Sequence, residues 1–243
     1  MALTSKLLYA AVAVLTIDAL MEMAFIATTV SWLHRVAGKG FYINYQGDQF
    51  LLQGKPLNIL LDQGHASNGA AGTIYVAIGF FGALALYLRH RQLKRDGGLH
   101  GFTKFAYNFW LVMTILSAIF SLACFIYVFA LTYNHDNQSI NLSKAAGLNN
   151  PGPPHPIPYP DLEWTPQNWF PALLRLPIAS DSDRNDISNH LKIMRGWQWN
   201  LIPMTLLGFL VMALAFMEKM TLRQRESRAM GAERLAARKV EEA

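Results

Sequence analysis

Four long apolar runs alternate with polar segments along the chain and set its organisation. The runs cover residues 7–32, 70–88, 107–131 and 197–217. A helix needs about 20 apolar residues to cross a hydrocarbon core about 30 Å thick, so each run is of the length that spans a bilayer. Two of the runs exceed this length and predict tilted helices. The pattern therefore predicts an all-α membrane protein, a four-helix transmembrane bundle.

Charged residues beside the apolar runs predict which side of the membrane each connection faces. The connection at 89–106 and the tail at 218–243 are rich in Lys and Arg, which favours the cytosolic side. Residues 33–69 and 132–196 then form outer loops, and both termini are cytosolic. We therefore expect one four-span membrane domain over residues 1–217, followed by a basic helical tail in the cytosol.

Asp18 and Glu22 lie near the centre of the first apolar run. Their spacing of four residues places both on one face of a helix, one turn apart. A carboxylate at the centre of a bilayer costs roughly 2.5–3.5 kcal/mol, so such a residue normally faces protein or a water-filled cavity. The run is longer than the apolar core of a signal peptide and contains two acids, so we expect a retained helix.

Three roles are open for Asp18 and Glu22. They can serve as polar contacts that hold the bundle together, as a cation or proton site, or as partners for a basic intramembrane residue of another protein. The other three apolar runs contain no Lys or Arg, so the sequence offers no internal counter-charge. Because two buried acids this close repel each other and lose hydration, we expect at least one to be protonated at neutral pH.

Polar and small residues on the neighbouring runs are candidates for contact with these acids. Thr114, Ser117 and Ser121 follow one helical face of the third run, and Gly79 and Ala83 form a small-x3-small pair in the second. Small and hydroxyl-bearing residues let membrane helices approach closely and form hydrogen bonds across their interface. Packing within the bundle is the ordinary explanation for this stripe, and an ion or proton path is the alternative.

The outer loops contain signals for local structure. Short alternating segments near Phe41 and Phe50, separated by Gly47, predict a small hairpin. Thr165 followed by Pro166 predicts the start of a short helix, which we expect to lie in the outer membrane interface. A proline-rich stretch at 151–160 predicts an extended polyproline spacer. The aromatic residues of this region are candidates for outer interfacial recognition: Trp164, Trp169, Phe170, Trp197 and Trp199.

Composition narrows the classes of function. Hydrophobic residues make up 52% of the chain and charged residues 15%, far below the roughly 25% charged residues of soluble domains. The net charge of +5 comes from basic residues beside the spans, which argues against nucleic acid as a partner. A single cysteine excludes an intramolecular disulfide. Asn137 and Asn141 head two glycosylation sequons in the second outer loop.

Motifs for catalysis and metal binding are missing from the sequence. There is no HExxH, GxSxG, P-loop or dinucleotide-binding pattern. The seven histidines show no metal-ligand spacing and no accompanying cysteines. We therefore predict a non-enzymatic protein without a metal or cofactor.

One segment carries a resemblance to known proteins. Trp164-Thr-Pro-Gln-Asn-Trp-Phe is followed by Ile187-Ser-Asn-His-Leu and by Arg195-Gly-Trp-Gln-Trp. This stretch, about a fifth of the chain, resembles four-span integral membrane proteins of filamentous fungi that have no assigned activity. The architecture is also similar to that of tetraspanins and claudin-like proteins, but their outer-loop cysteines are missing here.

Taken together, the sequence predicts an adaptor, organiser or accessory subunit of the plasma membrane or secretory pathway. Its expected partners are the lipid bilayer and another membrane protein or a second copy of the chain. The alternative is a small oligomeric transporter or channel subunit that uses Asp18 and Glu22 as its cation or proton site. A third class, a lipid-directed enzyme, would require His65, Asp62 and His190 to converge in space.

Overall fold

The computed structural model describes residues 3–148 and 157–241. Within these residues, four helices are long and apolar enough to cross a membrane, which confirms the predicted all-α four-span fold. The predicted polyproline spacer lies mostly outside the described residues. The elements are α1 (Leu3–Arg35), a 3-10 turn (Ala37–Lys39), β1 (Phe41–Tyr45), β2 (Asp48–Leu52), α2 (Asp62–Thr73), a π-helical segment (Ile74–Phe80), α3 (Phe81–Asp96), α4 (Gly101–Asn134), α5 (Leu142–Gly147), α6 (Pro166–Leu174) and α7 (Asp181–Glu241).

The spans are α1, the continuous run from α2 through the π-helical segment to α3, α4, and most of α7. The packing divides the chain into two compact units. The tail-bearing unit comprises Met1–Ala19, Gly72–Ser121 and Met204–Ala243. The loop-bearing unit comprises Leu20–Ala71 and Leu122–Pro203. Each span is therefore divided between the two units, with one segment in each.

Two glycines allow close helix packing in the tail-bearing unit. A Cβ atom added at Gly79 would lie 2.6 Å from Thr16 Oγ1, and one added at Gly82 would overlap the Trp110 indole. The same indole donates a hydrogen bond from Nε1 to the carbonyl oxygen of Ile78, at 3.4 Å, within the π-helical segment. Small residues at these positions therefore permit the close approach that the sequence predicted for the second span.

The loop-bearing unit contains the predicted hairpin. Strands β1 and β2 pair antiparallel, with Phe41 opposite Leu52 and Tyr45 opposite Asp48. Gln46 and Gly47 both have positive φ, 51° and 92°, as the tight turns that match the twist of paired strands require. The alternating residues of one face are buried, so the hairpin has a solvent side and a core side.

A core rich in aromatic residues holds the loops of this unit together. Backbone bridges join Ile43 to Ile178 and Ile59 to Trp164, which ties both long loops into one structure. An isolated hairpin is at best marginally stable in water, so these contacts supply the support that it needs. The core contains Trp32, Leu33, Phe41, Ile43, Phe50, Leu52, Tyr159, Trp164, Trp169, Phe170, Leu173, Ile178, Ile187 and Met194.

The short helix predicted after Thr165 is present as α6, with Pro166 in its first turn. Most of its side chains, on every face, are buried in this core. Trp169 Nε1 donates a hydrogen bond of 2.8 Å to the carbonyl oxygen of Gly54, which connects α6 to the first long loop. The helix thus serves as the central packing element of the loop-bearing unit.

We predict that Gly54→Ala destabilises the loop-bearing unit. A Cβ atom there would overlap the carbonyl oxygen of Ala37 and lie 2.8 Å from Phe41 Cε2. Overpacking of this kind costs about 1–3 kcal/mol. Thermal unfolding in detergent, followed by tryptophan fluorescence, should show a lower Tm than that of the wild type.

Gly64→Ala is the matched control, because no heavy atom lies within 4 Å of a Cβ added at Gly64. We expect its Tm to equal or exceed that of the wild type, since alanine favours helix. Equal Tm values for the two variants would contradict the packing described for Gly54.

Candidate functional site

Glu22 is fully buried in α1 and is tied to the next span. Its carboxylate accepts a hydrogen bond of 2.5 Å from Ser67 Oγ of α2, and Ser67 is itself fully buried. A buried polar group is costly unless it is hydrogen-bonded, so this contact helps α1 to carry an acid inside the membrane. The sequence suggested a hydroxyl-bearing residue of the third run as the neighbour of the acids. In the structure, the hydrogen bond to Glu22 comes from Ser67 of α2.

A separate set of buried side-chain amides joins helices of the loop-bearing unit. Gln63 of α2 donates from Nε2 to Gln167 Oε1 of α6 at 2.8 Å, and Gln63 Oε1 accepts from Thr132 of α4 at 3.4 Å. Gln167 in turn donates to the carbonyl oxygen of Met194 in α7 at 3.4 Å. These contacts join four helices, so the buried polar atoms fix the packing of the unit.

Asp18 is buried on the segment of α1 that belongs to the tail-bearing unit. The stripe of Thr114, Ser117 and Ser121 is buried in the same unit. Thr114 and Ser121 donate to carbonyl oxygens three residues earlier in α4, at 2.7 and 3.0 Å. Both acids and the stripe are therefore buried within the protein, and two of the three hydroxyls are used within their own helix.

The aromatic candidates for outer recognition differ sharply in exposure. Trp164, Trp169, Phe170 and Trp197 are buried and contribute to packing. Trp199 is 58% exposed and makes an edge-to-face contact with Phe129, at a centroid distance of 5.2 Å. In this group, the surface character that the sequence suggested is found at Trp199.

The sequon residues lie on the surface of the loop-bearing unit. Asn137 is exposed and has a positive φ of 61°. Asn141 is also exposed and caps α5, because its side chain accepts a hydrogen bond from the Lys144 amide. Glycosylation at either position stays a prediction.

Sequence reasoning missed a buried ion pair in the tail-bearing unit. Arg89 at 2% exposure and Glu218 at 5% form a salt bridge between α3 and α7. Ser5 of α1 donates a hydrogen bond to the same carboxylate, and the Arg89 guanidinium carbon lies 5.2 Å from the centroid of the Tyr107 ring in α4. The cluster of Ser5, Arg89, Tyr107 and Glu218 thus brings together side chains from all four spans.

The signal for this pair was present in the sequence. Arg89 directly follows the second apolar run, and Glu218 directly follows the fourth. Both positions fall in segments that the sequence predicts to be cytosolic, and opposite charges at the same predicted side of two spans are suited to pairing. The helices in fact continue past the apolar runs, to Asp96 and Glu241, so both side chains fall inside packed helical turns.

A hollow of about 480 Å³ opens in the loop-bearing unit beside Trp199. Its lining combines exposed aromatic rings, amides and two arginines, Arg175 and Arg195, with one carboxylate, Asp136. Among the described residues, neither arginine takes part in an ion pair. Aromatic residues and arginine are enriched where proteins bind other proteins, so this hollow has the chemistry of a docking surface.

We predict that Glu218→Gln strongly destabilises the tail-bearing unit. The change removes the charge that compensates buried Arg89, and breaking a buried ion pair in this way costs about 3–5 kcal/mol. In a titration with a denaturing detergent, the variant should unfold at a much lower mole fraction of that detergent than the wild type.

Glu226→Gln on the same helix is the control, because Glu226 is exposed and its replacement should change stability little. The double change Arg89→Met with Glu218→Met should recover part of the loss, because an apolar pair leaves no uncompensated charge. Unfolding of the Glu218→Gln and Glu226→Gln variants at the same detergent fraction would contradict a stabilising role of the Arg89–Glu218 ion pair.

No protein-family model, curated protein or solved structure matches the chain. The resemblance of the segment from Trp164 to Trp199 to fungal membrane proteins accordingly stays a prediction. The four apolar helices identify an integral membrane protein.

Proposed function

We propose that the protein is a non-enzymatic organiser or accessory subunit in the plasma membrane or secretory pathway. In this role the hollow beside Trp199 receives an acidic segment of a neighbouring membrane protein on the outer side. The observation that carries the proposal is the combination of Arg175, Arg195 and an exposed Trp199 in one concave surface. A protein that organises others needs such a surface on a rigid support.

The charge and shape of the hollow favour an acidic protein segment. Its two arginines outnumber its one carboxylate, and guanidinium groups bind carboxylates in a bidentate geometry. Tyr133 and Trp199 add large exposed ring surfaces at the rim, with Tyr133 at 81% exposure. Rigid aromatic anchors together with arginine are typical of the residues that dominate binding energy at protein interfaces.

The buried polar contacts support a scaffold. The Glu22–Ser67 hydrogen bond and the Gln63–Gln167 hydrogen bond hold the loop-bearing unit in one arrangement. The Arg89–Glu218 pair does the same within the tail-bearing unit. A surface carried on fixed helices loses little conformational freedom on binding, which increases affinity.

In-cell photo-crosslinking tests the docking surface. A photoreactive amino acid in place of Trp199 should form one discrete adduct with another membrane protein when the cells are illuminated. Arg175→Glu together with Arg195→Glu should lower the adduct yield about tenfold, equivalent to about 1.4 kcal/mol. The crosslinked partner peptide should be acidic, and the adduct mass will identify a second copy of the chain if that is the partner.

Arg35→Glu together with Lys39→Glu provides the matched control. Both residues are exposed in the loop-bearing unit and do not line the hollow, and the change in net charge is the same. The proposal fails if illumination yields only monomer and lipid adducts, or if the two charge reversals lower the yield equally.

The second candidate is a transporter or channel subunit, favoured by the two buried acids of α1. Asp18→Asn together with Glu22→Gln separates the two functions, since the amides keep the shape and hydrogen-bonding capacity while removing the charges. Under the organiser proposal, proteoliposomes of wild type and double variant should show the same proton and cation flux as empty liposomes. Flux in the wild type that is lost in the double variant would instead establish the transporter.

A further inference from the structure

A small pocket, of about 210 Å³, lies in the tail-bearing unit at the end of the spans that the sequence predicts to be cytosolic. It is formed by the first turn of α1, the part of α3 from Arg89 to Lys94, and the part of α7 from Glu218 to Arg225. Its volume is below the range of about 300–1,000 Å³ that is typical of sites enclosing a whole small molecule. The pocket is therefore of a size for one polar group of a larger ligand.

The lining of this pocket carries a net positive charge. The ionisable residues that line it are Arg89, His90, Lys94, Glu218 and Arg225. Arg89 and Glu218 are buried and paired with each other, so their charges compensate. Lys94 and Arg225 are exposed, and among the described residues neither takes part in an ion pair. Two accessible cations in one pocket thus lack a counter-charge, which favours an anion as the ligand.

The pocket lies at the depth of the lipid headgroups. Arg89 and Glu218 directly follow the apolar runs of the second and fourth spans, so they mark the boundary of the hydrocarbon core. The headgroup layer beyond that boundary is roughly 5–8 Å thick on each side of a bilayer. Since a helix rises about 1.5 Å per residue, Lys94 lies roughly 8 Å beyond Arg89. Side chains tilt toward the N-terminus of their helix, which in α3 and α7 is the direction of the bilayer, so Lys94 and Arg225 are placed to reach the headgroups.

We propose that this pocket binds the phosphate headgroup of an anionic phospholipid from the adjoining leaflet. Lys94 and Arg225 bind the phosphate oxygens, and Leu93 and Leu222 supply apolar lining for the glycerol backbone. A soluble phosphate compound shares the charge, but the position at headgroup depth favours the lipid. Basic clusters and pockets directly beyond a span on the cytosolic side are typical of binding to anionic lipids. The inference is independent of the docking hollow beside Trp199, because the two sites lie in different units and share no lining residue.

Native mass spectrometry of the full-length protein, released from detergent micelles, tests the proposal. The probes are phosphatidic acid and phosphatidylcholine with identical acyl chains. Both contain a phosphate, but phosphatidic acid carries up to two uncompensated negative charges, whereas phosphatidylcholine is neutral overall. One basic residue beside an anionic headgroup contributes roughly fivefold in affinity, so two of them should give phosphatidic acid a Kd about 25-fold lower. Glycerol 3-phosphate, the same headgroup without acyl chains, should not displace it at equal concentration.

Lys94→Gln together with Arg225→Gln should remove most of the preference for phosphatidic acid, because it removes both accessible cations. Arg91→Gln together with Arg228→Gln is the matched control. Both of these residues are exposed on the same two helices and do not line the pocket, and the change in net charge is the same. The control variant should keep the preference of the wild type.

Thr221→Glu offers a second variant if the first does not fold. Thr221 lines the pocket, and its hydroxyl donates a hydrogen bond only within its own helix, to the carbonyl oxygen of Met217 at 3.0 Å. A carboxylate there should repel the phosphate and raise the Kd for phosphatidic acid at least fivefold. Thr221→Gln has nearly the same shape without the charge and should bind as the wild type does.

Four results would overturn the proposal. These are equal Kd values of the wild type for phosphatidic acid and phosphatidylcholine, and an equal loss of preference in the two double Gln variants. The others are equal binding by folded Thr221→Glu and Thr221→Gln, and displacement of phosphatidic acid by an equal concentration of glycerol 3-phosphate, which would assign the pocket to a soluble phosphate compound.

Discussion

The hydrocarbon core offers no water to a buried polar group, and this constraint shapes the whole molecule. Each polar side chain carried into the membrane must find its partner within the protein. Glu22 is held by Ser67, Arg89 is held by Glu218, and Glu218 also accepts a hydrogen bond from Ser5. Because each of these contacts joins different spans, the same atoms that solve the solvation problem also fix which helices are neighbours. Stability and specificity of packing therefore have a common source.

Outside the spans, the loops meet a different requirement, since they lack disulfides and must order themselves by packing. Tryptophan performs much of this task. Trp164 and Trp169 are fully buried, contact each other edge to face, and donate from their indole nitrogens to backbone oxygens. A large ring buries much apolar surface per ordered residue, which allows two irregular loops to form one core with the hairpin.

The sequence predicted the features that depend on local pattern. Apolar length placed the four spans, and the alternation around Gly47 placed the hairpin. It did not reveal the Arg89–Glu218 pair, because a hydropathy pattern ends a span at its first charged residue even where the helix continues. It also could not distinguish the interface of a membrane from the interior of a folded loop domain. Both environments select aromatic and aliphatic residues, and only three-dimensional packing placed Trp169 inside and Trp199 on the surface.

The π-helical segment Ile74–Phe80 has a consequence for how this chain can vary. An α-helix advances about 100° per residue, whereas a π-bulge takes up one extra residue in a turn and leaves the following helix nearly in phase. Loss of one residue within the segment would therefore restore regular α-helix and keep α3 in its present orientation. Loss of one residue from the regular helix between the segment and Arg89 would instead turn the rest of α3 through about 100°, and Arg89 would point away from Glu218. The π-helical segment is thus the part of this span where a one-residue deletion would disturb the buried ion pair least.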